Sequence, residues 1–273
     1  MRNKIYLVAC ILLLASCTKP KQDDPLSRAE MDELLLLSDT SHMASELEVE
    51  YKLSNITRIF QKHNDNRGMF PLVYQQTTQQ ALLSLQNEPQ KYNDINKTRA
   101  IMIAFCKRYL FNLHDHLLGK LPEYHWSNYY RLCFSNQPRL RIVSSGLNAH
   151  LTVDLARAVY DVNGNAAFRD DFLIFGGALV KATPFIVDEL NKQYQVESAY
   201  LFHGLFIGDI LDPLFGASYT TQLAFQFIRQ EAFQNGQLLL EPAKYSNTQT
   251  LLFSNWRTRE QLLDVMVKDK LIQ

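Results

Sequence analysis

From Ser27 onward apolar residues recur at spacings of three and four almost without interruption, and few stretches alternate as a half-buried strand would. The pattern predicts helices. Ser27-Arg28-Ala29-Glu30 has the form of a capping box and opens a short helix through Leu37; a second helix spans Met43 to about Gln61. Asp65-Asn66-Arg67-Gly68 breaks the chain, and Phe70, Val73, Tyr74, Thr77 and Ala81 share a face of the next element. Asn93 or Asp94 caps a long helix with Cys106, Tyr109, Leu110, Leu113 and Leu117 on one side, ended by Gly119 and Pro122. Tyr124, Trp126, Tyr129, Tyr130 and Phe134 predict a short helix wedged into the core, a packing stripe before a carbohydrate platform. The helix from Arg139 to Tyr160, closed by Asn163-Gly164, is apolar on more than one side (Leu147, Leu151, Val153, Leu155, Ala156, Val159). A helix of that kind is enclosed by others.

Beyond it, Phe168, Phe172, Phe175 and Leu179 mark a further helix, and Thr183-Pro184 either starts a fresh one or kinks it. Ser198 to Asp212, Thr220 to Asn235 and, past a polar connection near Glu241 to Thr250, Asn255 to Lys270 complete the set. No repeat of fixed period is present. The expected fold class is all-α: a single multi-helix domain of about eight to ten helices packed around a buried central helix.

Ahead of Ser27 the pattern changes. Met1 to Ser16 has basic Arg2 and Lys4, an apolar run from Ile5 to Leu14 and small residues before Cys17, the form of an export signal. The run is well short of the ~20 residues a membrane-spanning helix needs. Leu14-Ala15-Ser16-Cys17 resembles the bacterial lipobox, in which the signal is removed and the cysteine becomes the lipid-modified first residue; the alternative is an ordinary secretory signal with a chance cysteine. The resemblance implies a palmitate-bearing lipoprotein of the cell envelope, held to a membrane by its N-terminal lipid. Thr18, not an aspartate, resembles lipoproteins sorted to the outer membrane if the host is Gram-negative. Thr18 to Pro25 is polar, with two prolines, and reads as a tether. The expected organisation is a signal peptide over 1–16, a tether over 17–26, an all-α domain over 27–240 and a C-terminal extension over 241–273.

Composition narrows the chemistry. Loss of Arg2 and Lys4 with the leader turns an even balance of 28 basic and 28 acidic side chains slightly acidic, and no basic stripe remains, so nucleic acid is not an expected partner. Of four cysteines, Cys10 leaves with the leader and Cys17 carries lipid; Cys106 and Cys133 are either two buried thiols or one disulfide. No CxxC pair and no cysteine–histidine cluster suggests structural zinc.

The candidate chemistry centres on Gly146 to Ala156. His150 and Asp154 stand at i and i+4 and share a helix face, with Arg157 one turn on. A carboxylate fixes the tautomer of its histidine and suits it to act as a general base or metal ligand; equally, Asp154 can satisfy a half-buried imidazole and lock helix packing. His114-Asp115-His116 resembles a ligand cluster, but its histidines point roughly 200° apart on a helix, so a solvated helix end is the simpler reading. His203 with Asp209 and Asp212 is a weaker grouping, and Gly204 and Gly208 there more simply allow a close helix crossing. There is no G-x-S-x-G elbow, P-loop or dinucleotide glycine fingerprint.

Gly146-Leu147-Asn148-Ala149-His150-Leu151-x-x-Asp154-Leu155 resembles the hallmark helix, G-[ML]-N-A-H-[IL]-x-x-D-L, of an uncharacterised bacterial family of unknown function. Three other stretches agree in order: Phe70, Tyr74 and Thr77; Arg108-Tyr109-Leu110 followed by Trp126; and Ile228-Arg229-x-x-Ala232-Phe233, where the family pattern has tryptophan in place of Phe233. The resemblance covers about 65–235 and brings no activity with it. The H-x-x-x-D helix is also loosely similar to one fragment of the exported, helical zinc-dependent phospholipase C and nuclease architecture, without its full histidine set.

Two functions are therefore expected. In one, the domain hydrolyses a lipid-derived or other envelope substrate with His150, Asp154 and Arg229 as catalytic residues and Tyr74, Asn148 and Arg108 binding the ligand, Arg157 being a further candidate cation. In the other, the pair is a structural network in a non-catalytic lipoprotein that binds a small molecule or an envelope partner. A divalent metal is conceivable, but no full ligand set supports one.

Overall fold

The box at Ser27 forms as its residues dictate: Ser27 Oγ accepts the Glu30 N–H at 3.3 Å while the Glu30 carboxylate accepts the Ser27 N–H at 2.9 Å. Ser45 and Glu48 repeat the device at the next helix. In the computed structural model, which describes residues 24–197 and 219–271, these boxes start α1 (Arg28–Ser38) and α2 (Glu46–Lys62). There follow α3 (Met69–Asn87), α4 (Ile95–Leu117, capped by Asp94), α5 (Tyr124–Cys133) and α6 (Arg139–Asn148). A π-helical turn (Ala149–Asp154) joins α6 to α7 (Leu155–Asp161). The chain continues through α8 (Arg169–Tyr194), α9 (Tyr219–Leu239) and α10 (Tyr245–Lys268). The fold is all-α, and no strand occurs among the described residues. None of these helices is long and apolar enough to cross a membrane. Cys17 with its leader, and the segment holding His203, Asp209 and Asp212, lie outside the described residues.

The central helix is enclosed, as its all-round apolar pattern requires. Ile142, Val143, Ala149, Val153, Ala156, Ala158 and Val159 are all fully buried. α3 and α8 lie along one another beside it, while α9 packs on α7 and α10 on α6. The α7–α9 approach depends on Gly236, where a Cβ would stand 2.5 Å from Val159 Cβ and 2.7 Å from the Ala156 carbonyl oxygen. No larger residue fits there without moving a helix.

Two local readings are resolved or corrected. α8 runs on through Pro184, so the proline neither starts a helix nor ends one; it gives up one backbone bond inside a helix held by its neighbours. The polar stretch expected as a connection at Glu241 to Thr250 is mostly helix, because α10 begins at Tyr245. Only one stripe of α10 is buried, with Thr248, Leu252, Trp256 and Glu260 at four-residue steps, and its first turns therefore lack an apolar period. Cys106 and Cys133 are separate buried thiols, and burial pushes both well above the usual thiol range.

Candidate functional site

Asp154, the last residue of the π turn, has no exposed surface and accepts three hydrogen bonds. His125 Nε2 reaches its Oδ1 at 3.0 Å, and Trp126 Nε1 and His150 Nδ1 reach its Oδ2 at 2.9 and 3.0 Å. Burial alone would raise the carboxyl's pKa, but the hydrogen bonds from His125 and His150 outweigh it and hold the group well below the usual carboxylate range. An ionised carboxylate only accepts, so each imidazole turns an N–H toward it. His150 therefore carries its proton on Nδ1 and presents a bare Nε2, which is buried without a partner, as is Nδ1 of His125. Burial depresses the His150 pKa against the pull of Asp154, so the ring is neutral at pH 7.

The π turn, in which the Leu155 N–H bonds back to the His150 carbonyl oxygen, widens the helix where these groups meet. Phe105 stacks on the His150 ring at 3.5 Å and 12°, and Tyr74 and Phe70 meet it at 4.5 and 5.1 Å in edge contacts. The imidazole is thereby fixed in one plane. It lines a cavity of about 70 Å³ between α3, α4, the π turn, α8 and α9. Val73, Ala81, Ile101, Met102, Leu147 and Leu151 make most of the wall apolar. Polarity comes from His150, Tyr74, Thr77, Thr78 and Arg229, and Thr78 Oγ1 has no partner.

Arg229 reaches the same cavity from α9, with its guanidinium 4.4 Å from the centre of the Phe172 ring and Nη2 donating to the Phe172 carbonyl oxygen. Gly176 makes the room, since a Cβ there would stand 1.8 Å from Arg229 Nε. Burial lowers the Arg229 pKa to about 9, and the group remains a cation at neutral pH.

Of the residues expected at the site, His150, Tyr74 and Arg229 line one cavity and Asp154 lies behind His150, but Arg229 does not pair with Asp154. Two imidazoles and an indole donate to the carboxylate instead. Arg108 is absent from the group: it pairs with Asp161 at 2.6 and 2.9 Å on another groove. Asn148 points away as well, to the Trp256 carbonyl oxygen at 3.0 Å and Glu260 at 2.8 Å, because two residues along a helix reverse the facing. Arg157 is held by Glu123 at 2.7 Å and by Gln249. His114 bonds Ser38 at 2.9 Å, and His116 stacks on Tyr130, so neither histidine shares an ion with the other and the expected solvated end is half-buried.

The sequence reading passed over His125, although it adjoins Trp126 and a histidine in an aromatic core stripe needs a partner. It also passed over a second buried network. Glu260 accepts from Arg141 and Asn128 at 2.8 Å, Ser145 at 3.0 Å and Asn148 at 2.8 Å. Arg141, charged and 1% exposed within the central helix, was its legible signal.

Glu123, His125 and Asp154 offer ligand atoms within 4.8 Å of one another. The trio does not fit a divalent ion as it stands. Arg157 already holds Glu123 and would repel the metal, and coordination through His125 Nε2 would leave Nδ1–H buried without the acceptor a ligating histidine needs.

The model of a family of unknown function, DUF5995, matches residues 47–262. No curated protein and no solved structure matches the chain.

Proposed function

The chain belongs to this family of unknown function, and since membership supplies no activity, we propose from the site that it is a ligand-binding lipoprotein of a bacterial envelope. Its helical domain takes a small, mainly apolar molecule into the cavity beside His150, with Nε2 as the hydrogen-bond acceptor. One observation carries this reading: the imidazole is oriented by Asp154 and four aromatic rings, yet its second nitrogen is unused and the ring lines an apolar cavity. His125 has an unpartnered nitrogen too, but unlike His150 it does not line the cavity.

The same dyad supports a second reading, hydrolysis with His150 as general base and Asp154 fixing its tautomer. Binding is favoured because no hydroxyl or thiol among the described residues is hydrogen-bonded to Nε2 as a nucleophile would be.

The test is mass spectrometry of small molecules released from the purified chain, beside Ala81→Phe, which fills the cavity. A stoichiometric molecule in the wild type that is lost in the variant is expected; its absence from both, with no thermal shift by short-chain alcohols, overturns the proposal. Turnover of p-nitrophenyl acyl esters that His150→Gln abolishes without unfolding would favour hydrolysis.

Membrane attachment is assigned to Cys17. Multiple acyl chains hold a protein where a single chain binds marginally. Cys17→Ser is expected to move the bulk of the protein from the membrane to the soluble fraction of the cells, and unchanged retention would sink the assignment.

A further inference from the structure

Among the described residues, buried charges are matched with one exception. Arg67 is held by Asp65 and Asp24, Arg141 by Glu260 and Asp264, and Asp171 by the backbone N–H groups of Asn93 and Asp94. Arg229 is 7% exposed, yet among the described residues no carboxylate pairs with it. It has one carbonyl acceptor, and its Nε is buried with no partner. A desolvated cation left in that state is costly, and the cost is removed when an anion arrives.

We infer that Arg229 is the anchor for the carboxylate of an amphipathic monoanion whose apolar part fills the cavity beside His150. The inference rests on the binding reading above and names the ligand class. Four features converge on it. The guanidinium is a planar fork that matches a carboxylate in two parallel hydrogen bonds, and its unused Nε is one tine of that fork. Arg229 is the one charged side chain among the described residues lining the cavity, so a monoanion is neutralised there, whereas a phosphate dianion would leave excess charge in an apolar wall. The remaining wall is chiefly aliphatic and aromatic. The space is small, about 70 Å³. It is about half the ~150 Å³ of a dry cavity that admits benzene, which suits a short straight chain better than a ring system.

The experiment is calorimetric titration of the purified chain, in detergent-free buffer, with butanoate, hexanoate and octanoate, the alcohols of equal length, and octyl phosphate. Carboxylates are expected to bind at least tenfold more tightly than their alcohols and more tightly than octyl phosphate. Arg229→Met is expected to erase the carboxylate preference, leave alcohol binding unchanged and preserve or raise the melting temperature, since it removes a buried unpaired charge. A structural role for the bond to Phe172 would instead lower the melting temperature and leave the preference intact. Arg229→Lys, which keeps the charge but not the fork, should lose part of the preference and decides the matter should the methionine variant fail to fold. Equal binding of carboxylates and alcohols, or a preference untouched by both variants, overturns the inference while the cavity stands as a binding site. Preference for the phosphate overturns the monoanion assignment, and binding of none of the probes removes both proposals.

Discussion

Asp154→Ala is expected to be the most damaging single substitution in the domain, lowering stability by about 3–5 kcal/mol, the range for breaking a buried charged group away from its partners. The carboxylate is the shared acceptor of His125, Trp126 and His150, which come from two helices. Its removal leaves three buried N–H donors without their acceptor, and each buried orphan costs about 1–3 kcal/mol. The imidazoles can recover part of this by changing tautomer, whereas the indole of Trp126 cannot, since it has only a donor. At about 2–4 °C per kcal/mol for a domain of this size, the melting temperature should fall by roughly 6–20 °C. Asp154→Asn keeps the volume but sets an amide N–H₂ against imidazole N–H groups, and it should fall between wild type and alanine. Thermal unfolding followed by circular dichroism reads both. A fall of less than ~2 °C for alanine would mean that the network stores little stability.

How much of this was legible follows from what each signal measures. Periodicity reports which face of an element is buried, so the enclosed central helix, whose buried residues run all round it, could be read directly from Arg139 to Tyr160. It does not report which elements meet. His150 and Asp154 were found because they lie on one helix, four residues apart; His125 belongs to α5 and reaches Asp154 only through the packing of α5 on the π turn. Arg229 was correctly placed near His150 and wrongly paired, because charge complementarity predicts that opposite charges meet. Here the aspartate is satisfied by neutral donors, and the arginine lies against Phe172. Asn148, two residues from His150, points away from it to the backbone of Trp256, as helix geometry requires, and so does not join the ligand-facing group. The π turn itself has no periodic signature of its own at six residues.

The π turn divides the central helix between two tasks. His150 faces the aromatic wall and the cavity, with Asp154 behind it against α5, while Asn148 and Thr152, bonded to each other at 2.8 Å, face α10. A widened turn changes the phase of the helix, which lets adjacent polar residues serve separate clusters without any being stranded between them. The ligand-facing side keeps unused polar atoms at His150 Nε2, Thr78 Oγ1 and Arg229 Nε, whereas both oxygens of Glu260 are occupied on the α10 side.

Glu260→Ala tests the other side. Its carboxylate collects Arg141, Asn128, Ser145 and Asn148, tying α10 to α5 and to the central helix. The expected loss is about 2–4 kcal/mol, below the full cost of breaking a buried ion pair because Arg141 retains Asp264 at 2.8 Å, and that aspartate is largely exposed and screened. The melting temperature should fall by roughly 4–16 °C. Arg141→Met alone should cost a similar amount by leaving Glu260 as a buried charge with only neutral donors. The double variant Arg141→Met with Glu260→Leu should then be less damaging than the sum of the two, with a coupling of about 0.5–3 kcal/mol, since it removes both charges and refills their volume with apolar atoms. The cycle is read by denaturant unfolding of the four proteins. Strict additivity would show that α10 is held by its Leu252, Trp256 and Leu263 stripe alone. The expected coupling instead makes the Arg141–Glu260 pair the registration point that fixes where α10 seats on the central helix, and through Asn148 and Thr152 it backs the π turn from the side away from the cavity.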